Sequence, residues 1–171
     1  SMPAHATELL RLEAHWKAVD GWQYCGKPES GLLKVQGPAY VKRVTYEYPY
    51  TQLNFFVWDP IEMGRVTKEG TPVRDNPGVT DIYGKLFQNG KEVRNLMPSP
   101  LRREQLWHFT ANEVYYYKVQ IKSPCVRQAG GGQQKQDVLV IFTTQSGPDH
   151  TAASDTPPFK IQPPKLSART E

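Results

Sequence analysis

The sequence predicts a mostly β domain, an antiparallel β-sandwich with one helix at its N-terminus. Residues 113–122 (EVYYYKVQIK) alternate between an aromatic and β-branched face and a more polar face, which is the period of a half-buried strand. Residues 137–144 (DVLVIFTT) are apolar on both faces, as expected of a strand at the centre of a sheet. The 15 prolines and 13 glycines suit short strands joined by turns better than a helical bundle.

The segment between these two strands, residues 123–136, contains three consecutive glycines. It does not match a phosphate-binding loop, because the Walker spacing is absent and a predicted strand, not a helix, follows Lys135. We therefore interpret the segment as a flexible loop. It joins residues 113–122 and 137–144 into a predicted antiparallel hairpin at the centre of the domain.

The N-terminal helix is predicted over residues 4–19. Its apolar residues recur at helical spacing, and they are Leu9, Leu12, Trp16 and Val19. Gly21 favours a helix end just beyond them, because glycine accepts the left-handed cap conformation. The predicted organisation is one β-rich domain over residues 1–145, including the helix, and a proline-rich extended tail over residues 146–171.

Further elements are predicted from local patterns along the chain. Strands are expected at residues 40–48, 53–58 and 106–109, and one helical turn is expected at residues 101–105. Asn89-Gly90 is the preferred pair for a type I′ turn, so it predicts a hairpin between residues 82–87 and 92–96.

Six to nine short antiparallel strands with one helix favour a sandwich. Residues 106–109, the turn at 110–112 and the tyrosine-rich strand after it form a succession that is similar to the corner of Ig-like domains. The predicted sandwich is accordingly Ig-like or jelly-roll-like. A closed β-barrel is the alternative architecture.

The composition indicates a folded domain with a mild basic excess. Charged residues make up 22% of the chain and aromatic residues 11%, which argues against disorder across its whole length. The 21 basic residues oppose 17 acidic ones, for a net charge of +4. Nucleic-acid-binding modules often carry a stronger excess. The charge therefore permits an acidic partner without requiring one.

Cysteine usage and the absence of sorting signals favour an intracellular protein, cytoplasmic or nuclear. Cys25 and Cys125 are expected to be partly buried free thiols, and a disulfide between them is the alternative. The sequence contains no N-x-S/T sequon, no signal-peptide pattern and no apolar run of membrane length, so no membrane association is predicted. Ser1 before Met2 is typical of expression cloning and favours an excised domain.

The common catalytic and metal-binding constellations are missing from the sequence. The four histidines form no H-x-H, HExxH or His/Cys cluster, and no G-x-S-x-G elbow is present. No metal, no cofactor and no enzyme activity are therefore expected. Residues that are distant in sequence, such as Cys125 and His108, stay open as a catalytic pair.

Basic residues close to aromatic ones form the candidate contact set for a partner. The set consists of Lys42, Arg43, Tyr48, Tyr50, Arg102, Arg103, Arg127 and Lys135. If these residues converge, they form a basic surface that suits nucleic acid. The alternative interpretation is a solvated sheet face whose lysines guard against edge pairing.

The leading functional hypothesis is a non-enzymatic interaction domain that binds a protein or peptide through loops or a sheet edge. The first alternative is a β-sandwich that binds nucleic acid, as in a transcription regulator. The second is a small-ligand carrier with an aromatic-lined cavity between its sheets, which predicts a deep apolar pocket.

Overall fold

The computed structural model describes eight stretches of the chain, which are residues 7–19, 23–25, 29–49, 61–74, 79–88, 90–94, 101–121 and 135–148. Ten β-strands occupy most of these stretches. They are β1 (Thr7–Val19), β2 (Gln23–Cys25), β3 (Ser30–Gln36), β4 (Ala39–Pro49), β5 (Ile61–Val66), β6 (Val79–Gln88), β7 (Lys91–Glu92), β8 (Leu101–Phe109), β9 (Val114–Ile121) and β10 (Lys135–Gln145). The prediction of a mostly β protein is confirmed.

The strands form two antiparallel sheets. The larger sheet has seven strands in the order β2-β1-β10-β4-β8-β6-β7, and the smaller sheet has three in the order β3-β9-β5. Each sheet has two edge strands, whereas a closed barrel has none. The alternative of a closed β-barrel is therefore wrong for the strands that the structure describes.

The N-terminal segment is a strand where a helix was predicted, so the prediction is wrong over residues 7–19; residues 4–6 lie outside the described part. The segment fits both periods, because Leu9 and Leu12 lie three positions apart while Leu12 and Ala14 lie two apart. Pairing decides between them, since β1 runs antiparallel to β10 from Thr7↔Thr144 to Lys17↔Lys135. Leu12 and Ala14 then point into the core.

The predicted central hairpin is also wrong, because its two strands belong to different sheets. The strand β9 pairs with β3 and β5, and β10 pairs with β1 and β4. Both are central strands, as their apolar patterns indicated, and each satisfies its backbone groups with neighbours on both sides. A connection as long as the one between β9 and β10 does not impose pairing on the strands that it joins, in contrast to a two-residue turn.

The hairpin at Asn89-Gly90 is confirmed in shorter form. Gln88 pairs with Lys91 and Phe87 with Glu92, so the loop has the two residues that were predicted. Gly90 has a φ of 75°, in the left-handed region that glycine adopts without strain. The second strand, β7, ends at Glu92 instead of extending to residue 96.

The remaining sequence predictions divide into three groups. The strand at residues 40–48 is confirmed as part of β4, and the strand at 106–109 is confirmed as the second half of β8. The helical turn at 101–105 is wrong, because these residues are the first half of β8, paired with both β4 and β6. Residues 53–58, Cys125 and the tail beyond residue 148 lie outside the described residues.

One apolar core draws residues from both sheets. Its buried members are Leu12, Ala14, Leu33, Val35, Val41, Ile61, Trp107, Phe109, Tyr115, Tyr117, Val119, Ile121, Val138, Val140 and Phe142. The ring of Phe109 in the larger sheet lies 5.3 Å from the ring of Tyr115 and 6.0 Å from that of Tyr117, both in the smaller sheet. These centroid distances are typical of packed aromatic pairs.

Candidate functional site

The paired strands β4 and β8 bring together four of the basic residues predicted to contact a partner. Thr45 is opposite Arg103 and Tyr46 is opposite Arg102, so the two arginines point to opposite faces of the sheet. By the same alternation, Arg43 lies on the core side with Arg103, and Lys42 lies on the outer side with Arg102.

On the outer side, Lys42 and Arg102 share one carboxylate. The Nζ atom of Lys42 lies 2.7 Å from Oε1 of Glu104, and Nη1 of Arg102 forms an ion pair with the same oxygen. The guanidinium carbon of Arg102 also lies 4.2 Å from the centroid of the Phe87 ring. Arg102 and Glu104 are both fully buried. These two cations are therefore engaged inside the protein and do not form an exposed basic surface.

On the core side, the two arginines are also engaged. Nη2 of Arg103 lies 3.2 Å from Oε2 of Glu47, and Arg43 lies 5.8 Å from the centroid of Trp107. Arg43 and Glu47 are buried, whereas Arg103 is half-buried. The burial of a charge requires a partner of this kind. Arg43 and Glu47 are therefore placed as structural groups, whereas Arg103 is partly accessible.

The other four predicted contact residues cannot be placed as side chains. Tyr48 and Lys135 belong to β4 and β10, but only their backbones are described. Tyr50 and Arg127 lie outside the described residues. Side-chain surroundings are therefore described only for the four residues on β4 and β8, and the contact set stays a prediction.

A second surface, which the sequence analysis did not single out, lies on the outer side of the smaller sheet. We call it the small-sheet face, and its side chains come from Leu32, Lys34, Gln36, Glu62, Val114, Tyr116, Lys118 and Gln120. Leu32 is 45% exposed and Val114 is 38% exposed. The third exposed large apolar residue in the described stretches, Ile82, lies on the larger sheet.

The register of the small-sheet face sets lysines beside apolar and aromatic side chains. Leu32 is opposite Lys118, and Lys34 is opposite Tyr116. On the other side of β9, Lys118 is opposite Gly64, where a Cβ atom would have no neighbour within 4 Å. Both lysines are exposed. The face is therefore mildly basic and open around Lys118 and Gly64, whereas Val66, which lies opposite Tyr116 on the same face, is buried.

A third cluster surrounds His15 on the outer side of the larger sheet. Its Nδ1 lies 2.8 Å from Oδ1 of Asp137, and its Nε2 lies 3.0 Å from Oε1 of Glu13. Burial by itself lowers the pKa of His15, but the hydrogen bond and charge of Asp137, with those of Glu13, raise the pKa above its ordinary value. The two carboxylates therefore favour the charged form of this imidazole.

Metal-binding groups and the surroundings of His108 are the remaining chemical features of the described residues. No group of three or more histidine, cysteine or acidic side chains there is arranged to hold a metal ion. His108 stacks on Tyr40 with ring centroids 4.1 Å apart, and its Nδ1 lies 3.4 Å from Oδ2 of Asp81. Within the described part of the chain, the structure contains no helix that could span a membrane.

Comparison with known proteins found no significant match: no family model, no curated protein and no solved structure matches the chain. The function is therefore inferred from the surfaces described above. Sequence alternation along β9 had already separated a polar side with Tyr116 and Lys118 from an apolar one. The neighbouring contributions of Leu32 and Lys34 depend on the pairing of β3 with β9, which no local pattern indicates.

Proposed function

We propose that this chain is a non-enzymatic interaction domain that binds a protein partner through the small-sheet face. The observation that carries the proposal is the exposure of Leu32 and Val114 on one face that also holds Tyr116 and two lysines. The two apolar side chains lie four positions apart along the paired strands, and Tyr116 lies in the row between them, so the three form an interrupted apolar row. Exposed apolar surface of this kind marks interaction sites when a partner covers it. Tyrosine is also enriched among the residues that dominate binding energy.

The face is a better candidate than the edges of the sheets. On the edge strand β5, the backbone N–H of Val73 donates to the carbonyl oxygen of Arg65, so part of that edge is already paired. On β1, the backbone N–H of Glu13 donates to a carboxylate oxygen of Glu29. Edges that are occupied in this way do not readily accept a further strand. We therefore favour side-chain contacts with the face over strand addition.

The proposed architecture behind this face is a β-sandwich, with the smaller sheet as the outer layer. Its support is the shared core, in which Phe109 of the larger sheet packs against Tyr115 and Tyr117 of the smaller one. Alternation along β9 then buries every second side chain and leaves the others facing outward. An intracellular location also belongs to the proposal, supported by the absence of glycosylation sequons.

Affinity capture with matched variants tests the proposal. The wild-type domain is the bait, and the face variant carries Leu32→Ser and Tyr116→Ala. The control variant Ile82→Ser removes an apolar side chain from the larger sheet that is even more exposed than Leu32. We expect specific proteins that bind the wild type and the control but not the face variant. Equal capture by all three baits, or turnover of any substrate, would contradict the proposal.

Nucleic-acid binding is the second candidate, and one observation favours it. Tyr116 lies between Lys34, its direct cross-strand neighbour, and Lys118 on its own strand. A tyrosine flanked by lysines is the kind of surface on which single-stranded bases stack. A labelled oligonucleotide would then bind with an affinity that falls steeply with salt, and Lys34→Gln would weaken it. Oligonucleotide binding that is unchanged in Lys34→Gln would exclude the small-sheet face as the nucleic-acid-binding site.

The small-ligand carrier is the least supported of the three hypotheses. It requires a deep apolar pocket with aromatic walls. Among the pockets lined by described residues, two are bordered mainly by charged residues. The pocket at β4, β6 and β8 is lined by three arginines, which suit an anionic ligand better than an apolar one.

A further inference from the structure

A pocket of about 330 Å³ lies where β4, β8 and β6 meet the residues that follow β7. Its walls include Arg43, Gly84, Arg94, Arg103 and Gln105. It is separate from the small-sheet face, because all of these residues belong to the larger sheet or its β7 extension. Its volume falls in the lower part of the range of small-molecule sites, which is roughly 300–1,000 Å³.

The glycine in this wall creates space. Gly84 is opposite Gln105 in the register of β6 and β8. A Cβ atom at position 84 would lie 3.7 Å from the carbonyl oxygen of Glu104 and 3.8 Å from Cγ of Gln105, which are ordinary contact distances. A larger side chain is therefore compatible with the strand but would occupy volume beside Gln105. The pocket owes part of its room to the absence of a side chain.

The charges around the pocket favour an anion. The residues that line it include four basic ones, Arg43, Lys85, Arg94 and Arg103, and two acidic ones, Glu92 and Glu104. By strand alternation, Arg43 and Arg103 point to the same face as Gly84 and Gln105, whereas Lys85 and Glu104 point to the opposite face. Glu104 is already paired with Lys42 and Arg102, and Glu92 lies 3.6 Å from Lys85. Glu104 is therefore committed to cations outside the pocket, and Glu92 and Lys85 offset each other. The guanidinium groups leave an excess of positive charge at the pocket.

The wall also holds hydrogen-bonding capacity that the described residues do not use. Nε of Arg103 is buried and makes no hydrogen bond there, although Nη2 of the same side chain pairs with Glu47. Thr45 does not line the pocket itself but lies directly opposite Arg103 in the register, and its hydroxyl is likewise buried without a hydrogen bond within the described stretches. Buried polar atoms are nearly always satisfied, so such donors point to a ligand or a water beside them.

We propose that this pocket binds a small oxyanion, that is, a phosphate or carboxylate group of a small molecule. Arg103 would supply the main contact, because a guanidinium fork matches the paired oxygens of either group. Arg94, which is exposed, would act from the rim, and the amide of Gln105 would donate a further hydrogen bond. The site is independent of the proposed protein-binding face, so either can fail without the other.

Filling the pocket tests the inference directly. Gly84→Val adds a side chain at the wall, and valine suits a strand. Gly64→Val is the matched control, because it makes the same change on β5 at a position with no neighbour within 4 Å. The probes are inorganic phosphate, pyrophosphate and citrate, titrated at low salt against the isotope-labelled protein by NMR. The amides of Gly84, Val93 and Arg94 report on the pocket.

We expect at least one probe to give saturable shifts at these amides in the wild type and in Gly64→Val. Gly84→Val should weaken that binding at least tenfold, and Arg94→Gln should weaken it several-fold. Preference for pyrophosphate would assign a phosphate ligand, and preference for citrate a carboxylate. If Gly84→Val does not fold, Arg94→Gln combined with Gln105→Leu replaces it. The absence of saturable binding, or equal binding by Gly84→Val and Gly64→Val, would overturn the inference.

Discussion

His15 and Asp137 face each other across the antiparallel strands β1 and β10, with Nδ1 of the imidazole 2.8 Å from Oδ1 of the carboxylate. Asp137 is almost completely buried, whereas the His15 side chain is 53% exposed. The pair therefore links a buried anion to the surface of the larger sheet. It also ties β1 to the central strand β10, which is buried over residues 137–142.

The first prediction concerns the pH dependence of this link. The pKa of His15 is raised in the folded protein above the value of about 6.5 expected in the unfolded chain. Its contribution to stability is therefore fully present below that unfolded value, and it is lost as the pH rises through the raised folded pKa. The difference in unfolding free energy between wild type and His15→Gln should shrink over this interval.

Urea denaturation of both proteins at several pH values measures this difference. An NMR titration of the His15 ring supplies the folded pKa, with His15→Gln to assign the signal. A folded pKa at or below the ordinary value would contradict the account, because the two carboxylates would then not stabilise the imidazolium.

The second prediction concerns the buried carboxylate of Glu104. Glu104→Gln removes the charge that Lys42 and Arg102 share, and Arg102 is fully buried. Breaking a buried ion pair typically costs about 3–5 kcal/mol. We expect a loss of that order in the unfolding free energy, measured by urea denaturation.

Glu92→Gln is the control for this substitution. It makes the same chemical change on β7, where the carboxylate is largely exposed and lies 3.6 Å from Lys85. Exposed pairs contribute little, so no measurable change in stability is expected. Similar losses from both substitutions would show that the cluster around Glu104 is not a structural centre.

The third prediction uses Gly37, which lies between β3 and β4. Its backbone N–H donates to the carbonyl oxygen of Glu113 at 2.9 Å, and a Cβ atom here would collide with the carbonyl oxygen of Ala111. Backbone cannot move aside as a flexible side chain can. Gly37→Ala should therefore destabilise the domain by about 3 kcal/mol or more, at the upper end of overpacking effects. Gly64→Ala, in open space, should leave the melting temperature within a few degrees of wild type.

The fourth prediction separates the core of the domain from the proposed interaction surface. Leu12 is buried in the shared core, whereas Leu32 is exposed on the small-sheet face. Leu12→Ala should cost about 2–5 kcal/mol, as truncation of a buried leucine does. Leu32→Ala should change stability by less than about 0.5 kcal/mol, as surface substitutions do. Equal losses would mean that Leu32 is not free to contact a partner.

The fold could be predicted from the sequence wherever one local pattern dominated. Alternation identified β9, the apolar run identified β10, and Asn89-Gly90 identified the short hairpin. The N-terminal strand was missed because Leu9 and Leu12 match a helix while Leu12 and Ala14 match a strand. The ladder with β10 decides the outcome, and that partner lies more than a hundred residues away in the sequence. Local propensity does not contain this information.

The candidate site could be predicted only in part for the same reason. The sequence identified Lys42 and Arg102 as basic residues near aromatic ones, but it did not show that both lie against Glu104. That contact depends on the register of β4 and β8. The small-sheet face likewise needs Leu32 beside Lys118, which only the pairing of β3 and β9 provides. Surfaces built from cross-strand neighbours are not visible in one strand alone.

Lysine footprinting of the domain, free and in an extract of its native cells, tests the central claim most directly. The reactivity of Lys34 and Lys118 is compared with that of the exposed Lys68 and Lys91, which lie outside the small-sheet face. If this face binds a protein partner, the first two lysines lose reactivity in the extract while the other two keep theirs. Uniform reactivity of all four lysines in both conditions would contradict the assignment of the small-sheet face as the interaction surface.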